Sequence, residues 1–147
     1  MLSAAVDGVD DGLRNRLFQQ DIASRPKILA ITVLTSIDQQ TLVETGVSRT
    51  ITDQVSSLAD MAKTAGLDGV VASPQEAALL RGLLGAEALI VTPGVRPADA
   101  ATDDQSRVAT PATALEAGAS YLVIGRPITA ATDPVQAFDD IVRSINR

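Results

Sequence analysis

One phrase occurs twice with variations: Ala65-Gly-Leu-Asp-Gly-Val-Val and Ala117-Gly-Ala-Ser-Tyr-Leu-Val. Each reads as a helix stop followed at once by a strand start. Glycine suits the residue just past a helix end, where positive φ is needed, and the β-branched or aromatic run behind it favours extended chain. Four short apolar runs fit this pattern, at 28–34, 69–72, 88–91 and 121–124. They are apolar throughout instead of alternating, which is how strands covered on both faces are written.

Helical phrases separate the runs. Leu2, Ala5, Val6, Val9, Leu13 and Leu17 recur at helical spacing, predicting a helix over about 2–20 that Gly8 and Gly12 weaken. Arg25-Pro26 then breaks the chain before the first strand. Val55, Leu58, Ala59 and Ala62 form one stripe of a helix near 53–65, with Gly66 at its C′ position. Ser73-Pro74-Gln75-Glu76 supplies an N-cap serine, a proline in the first turn and a capping-box glutamate for a helix ending at Leu84-Gly85. Thr110-Pro111, and Asp133-Pro134 with Gln136, open two more helices in the same way. Strands alternating with helices imply parallel βα units in one undivided domain, residues 1–147. Two architectures satisfy this: a small doubly wound sheet, or half of an eight-stranded barrel.

Composition narrows the chemistry. The chain has no cysteine and no histidine, so disulfides, thiolate nucleophiles, His-based triads and the common zinc sites are all excluded. A net charge of −6 argues against nucleic acid or an anionic membrane as partner. The longest apolar runs are too short to span a bilayer, and Asp7, Asp10 and Asp11 follow a start with no basic region, unlike a secretory signal. A cytoplasmic protein is expected. Phe18, Tyr121 and Phe138 are its only aromatics, so the core must be built from Leu, Ile, Val and Ala.

In either architecture ligands sit at the C-terminal ends of the strands. Thr35 and Ser36 follow the first strand, Thr92-Pro93-Gly94-Val95-Arg96-Pro97 the third, and Gly125-Arg126-Pro127 the fourth. Arg96 and Arg126 each stand close to a glycine that lets backbone N–H groups approach a ligand. Guanidinium forks pair with phosphate oxygens, and in barrels a phosphate site often forms after the last two strands. If these are the last two strands of a barrel, Arg96, Gln105, Gly125 and Arg126 converge on one anion. The competing possibilities are two ordinary solvated arginines, and for Thr35-Ser36 a helix cap for the segment beginning at Asp38.

These residues together make the chain resemble the C-terminal half of the orotidine 5′-monophosphate decarboxylase family. The resemblance rests on Val33-Leu-Thr-Ser, Gly66-Leu-Asp-Gly-Val-Val-Ala-Ser-Pro-Gln-Glu-Ala, Val91-Thr-Pro-Gly-Val-Arg-Pro, Asp104-Gln-Ser-Arg and Tyr121-Leu-Val-Ile-Gly-Arg-Pro-Ile-Thr. It implies an α/β fold of the (β/α)8 TIM-barrel family, of which this chain carries strands five to eight in residues 26–147, preceded by a helix in 1–25. It implies a homo-oligomer, a homodimer with sites at the subunit interface, and no cofactor or metal. The implied reaction converts orotidine 5′-monophosphate to uridine 5′-monophosphate and CO2 in pyrimidine biosynthesis. By position, Thr35 matches the pyrimidine contact with Ser36 beside it, and Arg96, Gln105, Gly125 and Arg126 match the phosphate grip.

The family's reacting groups are another matter. They lie in an Asp-x-Lys-x-x-Asp array after strand three, helped by an Asp and a Lys after the first two strands, and no Asp-x-Lys occurs in this sequence. The only lysines are Lys27, at the entrance of a strand, and Lys63, within a helix. No catalytic residue is therefore assigned, and the chain alone is expected to be inactive. A helix ahead of the first strand predicts a truncated or mis-started chain. Two alternatives stand beside this: a non-catalytic, self-associating half-barrel that binds nucleotide phosphate, and another phosphate-handling barrel enzyme, against which Asp104-Gln-Ser-Arg speaks.

Overall fold

The computed structural model describes residues 1–14, 25–97, 107 and 109–145. Four parallel strands form one sheet in chain order: β1 (Leu29–Ile31), β2 (Gly69–Val71), β3 (Leu89–Thr92) and β4 (Tyr121–Leu122). Leu29 is in register with Gly69, Gly69 with Leu89, and Val91 with Tyr121. All four expected runs are strands. β1 and β4 are shorter than their apolar runs, and among the described residues each pairs with one neighbour only. Pairing nevertheless continues past them, with Thr32 N donating to Val71 O at 3.0 Å and Val123 N to Thr92 O at 2.9 Å.

Seven α-helices accompany the described sheet: α1 (Leu2–Arg14), α2 (Gln39–Glu44), α3 (Ile51–Thr64), α4 (Ala77–Leu84), α5 (Pro111–Glu116), α6 (Arg126–Thr129) and α7 (Pro134–Ile145). The first expected helix is present to Arg14, and its remainder to residue 20 lies outside the described residues. α3 begins two residues earlier than the apolar stripe suggested, because Thr50 caps it by accepting from Asp53 N at 3.0 Å. The duplicated phrase folds the same way twice. Gly66 and Gly118 adopt φ of 79° and 99°. Behind them Leu67 N reaches back to Ala62 O at 3.0 Å and Ala119 N to Ala114 O at 3.1 Å. That is the glycine-terminated helix stop expected from the sequence.

The main core lies between α3, α4 and the sheet, where Val55, Ala59, Val70, Leu80 and Ile90 are fully buried. Each large aliphatic removed from water there contributes about 1.5–3 kcal/mol. Alanines at Ala59, Ala62 and Ala77 bring helix and sheet close, which is how so few aromatics suffice. A smaller core of Val95, Ala114 and Ala119 supports β4.

One local expectation fails. Ser73 caps as foreseen, accepting from Gln75 N at 3.2 Å, but Pro74–Glu76 is a 3-10 turn ahead of α4. The Glu76 carboxylate does not complete a capping box. It turns inward and accepts from Arg107 Nη1 at 2.7 Å, since a buried ionised partner outcompetes a local backbone N–H.

Lys27 does sit at the N-terminal end of β1, where its ammonium meets Asp68 Oδ1 at 3.0 Å. Lys63 lies in α3 and donates to Leu83 O at 2.8 Å. Both outer strands show apolar side chains to solvent, with Ile31 66% and Tyr121 59% exposed. Among the described residues no helix is long and apolar enough to cross a membrane.

Candidate functional site

At the C-terminal ends of β1, β3 and β4 a cleft of about 270 Å³ is lined by Thr35, Gly94, Arg96, Val123, Gly125 and Arg126, among others. Residues separated by up to 91 positions thus meet at one mouth, as the strand-end rule requires of parallel βα units.

Each is placed by its own loop. Thr35 follows β1 inside a turn that Ile37 N closes on Leu34 O at 3.0 Å, and Thr35 is buried. The cap of α2 is Asp38, whose carboxylate accepts from Thr41 N at 2.8 Å and is held below the usual carboxylate range mainly by that bond. Thr35 and Ser36 are therefore not helix caps. Arg96 leaves β3 through a turn that ends in a parallel bridge between Val95 and Ala109, and Arg96 N donates to Ala109 O at 3.0 Å. Arg96 is buried, 7% exposed, and lines the cleft. Arg126 opens α6 directly behind Gly125, where Ile128 N and Thr129 N both return to Gly125 O. Its side chain is exposed at the rim.

Thr35, Arg96, Gly125 and Arg126 thus line one cleft. Ser36 is exposed and lines an adjoining cavity with Thr35, Val33 and Ala72 instead. Gln105 lies outside the described residues. Sequence reasoning missed Arg107 as a buried ion-paired group, since nothing local marks a pair separated by 31 positions. It also missed Val123, whose place in the cleft follows from the strand-end rule once β4 is found. Size alone would mislead here. A larger cavity of about 400 Å³ opens at the other end of the sheet, lined by Lys27, Lys63, Asp68 and Glu87, but both of its lysines are held by other protein groups.

Chemically, two guanidinium groups beside a glycine backbone form an arrangement suited to an anion with several oxygens. Pro93 and Val123 add an apolar wall. Parallel βα units with such a mouth at the C-terminal strand ends define the class of α/β proteins that includes open doubly wound sheets and β/α-barrels. Residues 1–141 match the family model described as orotidine 5′-phosphate decarboxylase / HUMPS family, and the chain belongs to that family.

Among its relatives, orotidine 5′-phosphate decarboxylase of Geotalea daltonii is 57% identical over 121 residues, covering 82% of this chain and 51% of that protein. The Geobacter metallireducens enzyme of the same name is 47% identical over 145 residues, 99% of this chain and 58% of its own length. A crystal structure of orotidine 5′-phosphate decarboxylase from Lactobacillus acidophilus superposes on all of this chain with a TM-score of 0.77 at 41% identity. This chain covers 58% of it. The chain therefore spans about half the length of the curated relatives it matches. Its four-stranded sheet is a part of the TIM-barrel fold, and the doubly wound alternative is set aside.

Proposed function

We propose that this chain is the phosphate- and pyrimidine-holding half of an orotidine 5′-phosphate decarboxylase, a cytoplasmic carboxy-lyase making uridine 5′-monophosphate and CO2 in pyrimidine biosynthesis. One observation carries this: Thr35, Arg96, Gly125 and Arg126 line the same cleft although they come from three strand ends. Residues 26–147 supply strands five to eight of the barrel and residues 1–25 the lead-in.

In this reading Arg96 and Arg126 take the nucleotide phosphate from two sides, with Gly125 offering backbone and Gln105 a side-chain amide. Bidentate guanidinium contacts fix the phosphate's orientation as well as its charge. Thr35, with Ser36 next to it, meets the pyrimidine. Held at both ends, the substrate is positioned so that its remote binding energy can act at the reacting carbon.

The reacting step needs a proton for the carbon that loses CO2. Lys27 and Lys63 are far from the mouth, and arginine does not surrender a proton at neutral pH. This chain by itself grips and does not turn over. Open sheet edges at β1 and β4 favour association of the half-barrel with itself or with a complementary half.

Calorimetry with uridine 5′-monophosphate tests the reading, with inorganic phosphate titrated in parallel. Nucleotide binding that Arg96→Ala and Arg126→Ala each weaken by about tenfold or more is expected. A folded chain that binds neither compound refutes the grip. Release of CO2 from orotidine 5′-monophosphate by the pure chain refutes the inactivity.

A further inference from the structure

Arg107 stands two residues after Gln105, yet its side chain is only 7% exposed. Its Nη1 donates to Glu76 Oε1 at 2.7 Å. Its Nη2 donates to Val33 O at 3.1 Å and to Leu34 O at 3.0 Å. Its carbonyl accepts from Ser73 Oγ at 3.4 Å. Val33 and Leu34 leave β1, while Ser73 and Glu76 leave β2. Two residues on, Ala109 O receives Arg96 N. One guanidinium therefore joins the exits of β1 and β2, and the backbone two residues on meets the exit of β3.

A charge this deep costs several kcal/mol unless it is paired and hydrogen-bonded. Stability does not require it here, since apolar residues of similar volume commonly serve as well. What an arginine supplies that they cannot is geometry: a rigid fork able to hold a carboxylate and backbone carbonyls at once. The carbonyl of Leu34 lies in the same peptide plane as the nitrogen and Cα of Thr35. Fixing Val33 O and Leu34 O together sets the direction in which Thr35 leaves the chain.

We propose that Arg107 is a positioning residue. It does not touch the ligand, and it holds Thr35 at a fixed separation from the Arg96–Arg126 end of the cleft, with Glu76 holding Arg107. This rests on the nucleotide reading above and adds the residue that sets the distance between its pyrimidine and phosphate ends.

The test compares Arg107→Lys, Arg107→Met and Glu76→Gln with the parent chain in two ways. Residue-resolved amide exchange follows Ile37, whose N–H closes the Thr35 turn, against Ala59 in α3 and Leu89 in β3. Titration compares uridine 5′-monophosphate, which reaches both ends, with ribose 5-phosphate, which reaches only the phosphate end. In Arg107→Lys we expect Ile37 to exchange about tenfold faster while Ala59 and Leu89 hold. The same variant should lose about tenfold in nucleotide affinity and stay within about twofold for ribose 5-phosphate. Glu76→Gln keeps both carbonyl bonds available and should give a smaller change of the same pattern. Equal acceleration at all three amides, or equal weakening of both ligands, would make Arg107 a general stabiliser and overturn the proposal. If the parent chain binds neither ligand, the nucleotide reading fails, and the exchange pattern alone decides whether Arg107 orders the Thr35 turn. Should Arg107→Met fail to fold, the lysine and glutamine variants decide between the same outcomes.

Discussion

Ser120 Oγ stands 2.9 Å from Arg81 Nη2 and 3.1 Å from Ile90 N, so a side chain of α4 ties the start of β4 to β3. Arg81 goes further. Its Nη1 meets the carbonyls of Gly85, Ala86 and Ala88 at 2.7–2.9 Å, and Nε and Nη2 both meet Gly118 O. Arg81→Met strips a shared donor from four carbonyls, and hydrogen bonds to a charged group contribute about 1.5–3 kcal/mol each before overlap is discounted. A loss of about 2–4 kcal/mol in urea unfolding is expected, with Arg81→Lys in between. A change below about 1 kcal/mol would show that water replaces the guanidinium at this rim.

Gly125 separates binding from folding. A Cβ built there meets nothing within 4 Å. Gly125→Ala should leave the melting temperature within about 2 °C of the parent. The added methyl would stand where a phosphate approaches, so affinity for uridine 5′-monophosphate should fall about tenfold or more. Undiminished affinity would place the phosphate elsewhere.

The Asp68 carboxyl gives the pH dependence. Burial pushes its pKa up, but the N–H of Ile28 at 2.8 Å and the cations of Lys27 and Arg25 outweigh this, and the net shift is below the ordinary 3.8. A depressed native pKa stabilises the fold above the unfolded value and ceases to do so as pH falls through the native one. Asp68→Asn should therefore be less stable than the parent at pH 7, and the gap should close below pH 3.8. Denaturant melts of both chains at pH 7, 4 and 3 check the sign, and a gap that widens in acid would contradict it.

Among the described residues, Ile31 and Tyr121 stand on the two outer strands of the sheet, each exposed. Sedimentation velocity should show the chain self-associating in a concentration-dependent way, because exposed apolar edge strands seek partners. Lysine at either position should shift the distribution toward monomer with little loss of stability. A well-folded monomer at high concentration in the parent chain would count against open edges.

What was legible in the sequence was local. The duplicated glycine stops, the caps at Ser73, Thr110 and Asp133, and the four apolar runs each depend on a few neighbouring residues. That Arg96 and Arg126 line one cleft was also within reach, because parallel βα units carry all their exits to one end. Glu76 shows where such reasoning stops. Its neighbours specify a capping box, while its actual partner, Arg107, is supplied by tertiary packing. Thr35 and Ser36 differ for a similar reason: the turn after β1 buries one and exposes the other, which residue type alone does not foretell.

Strand order in space equals strand order in the chain. Each new unit can therefore dock on the one completed just before it, without waiting for distant chain. Assembly can advance in step with synthesis at the ribosome, the newest strand always forming the growing margin of the sheet.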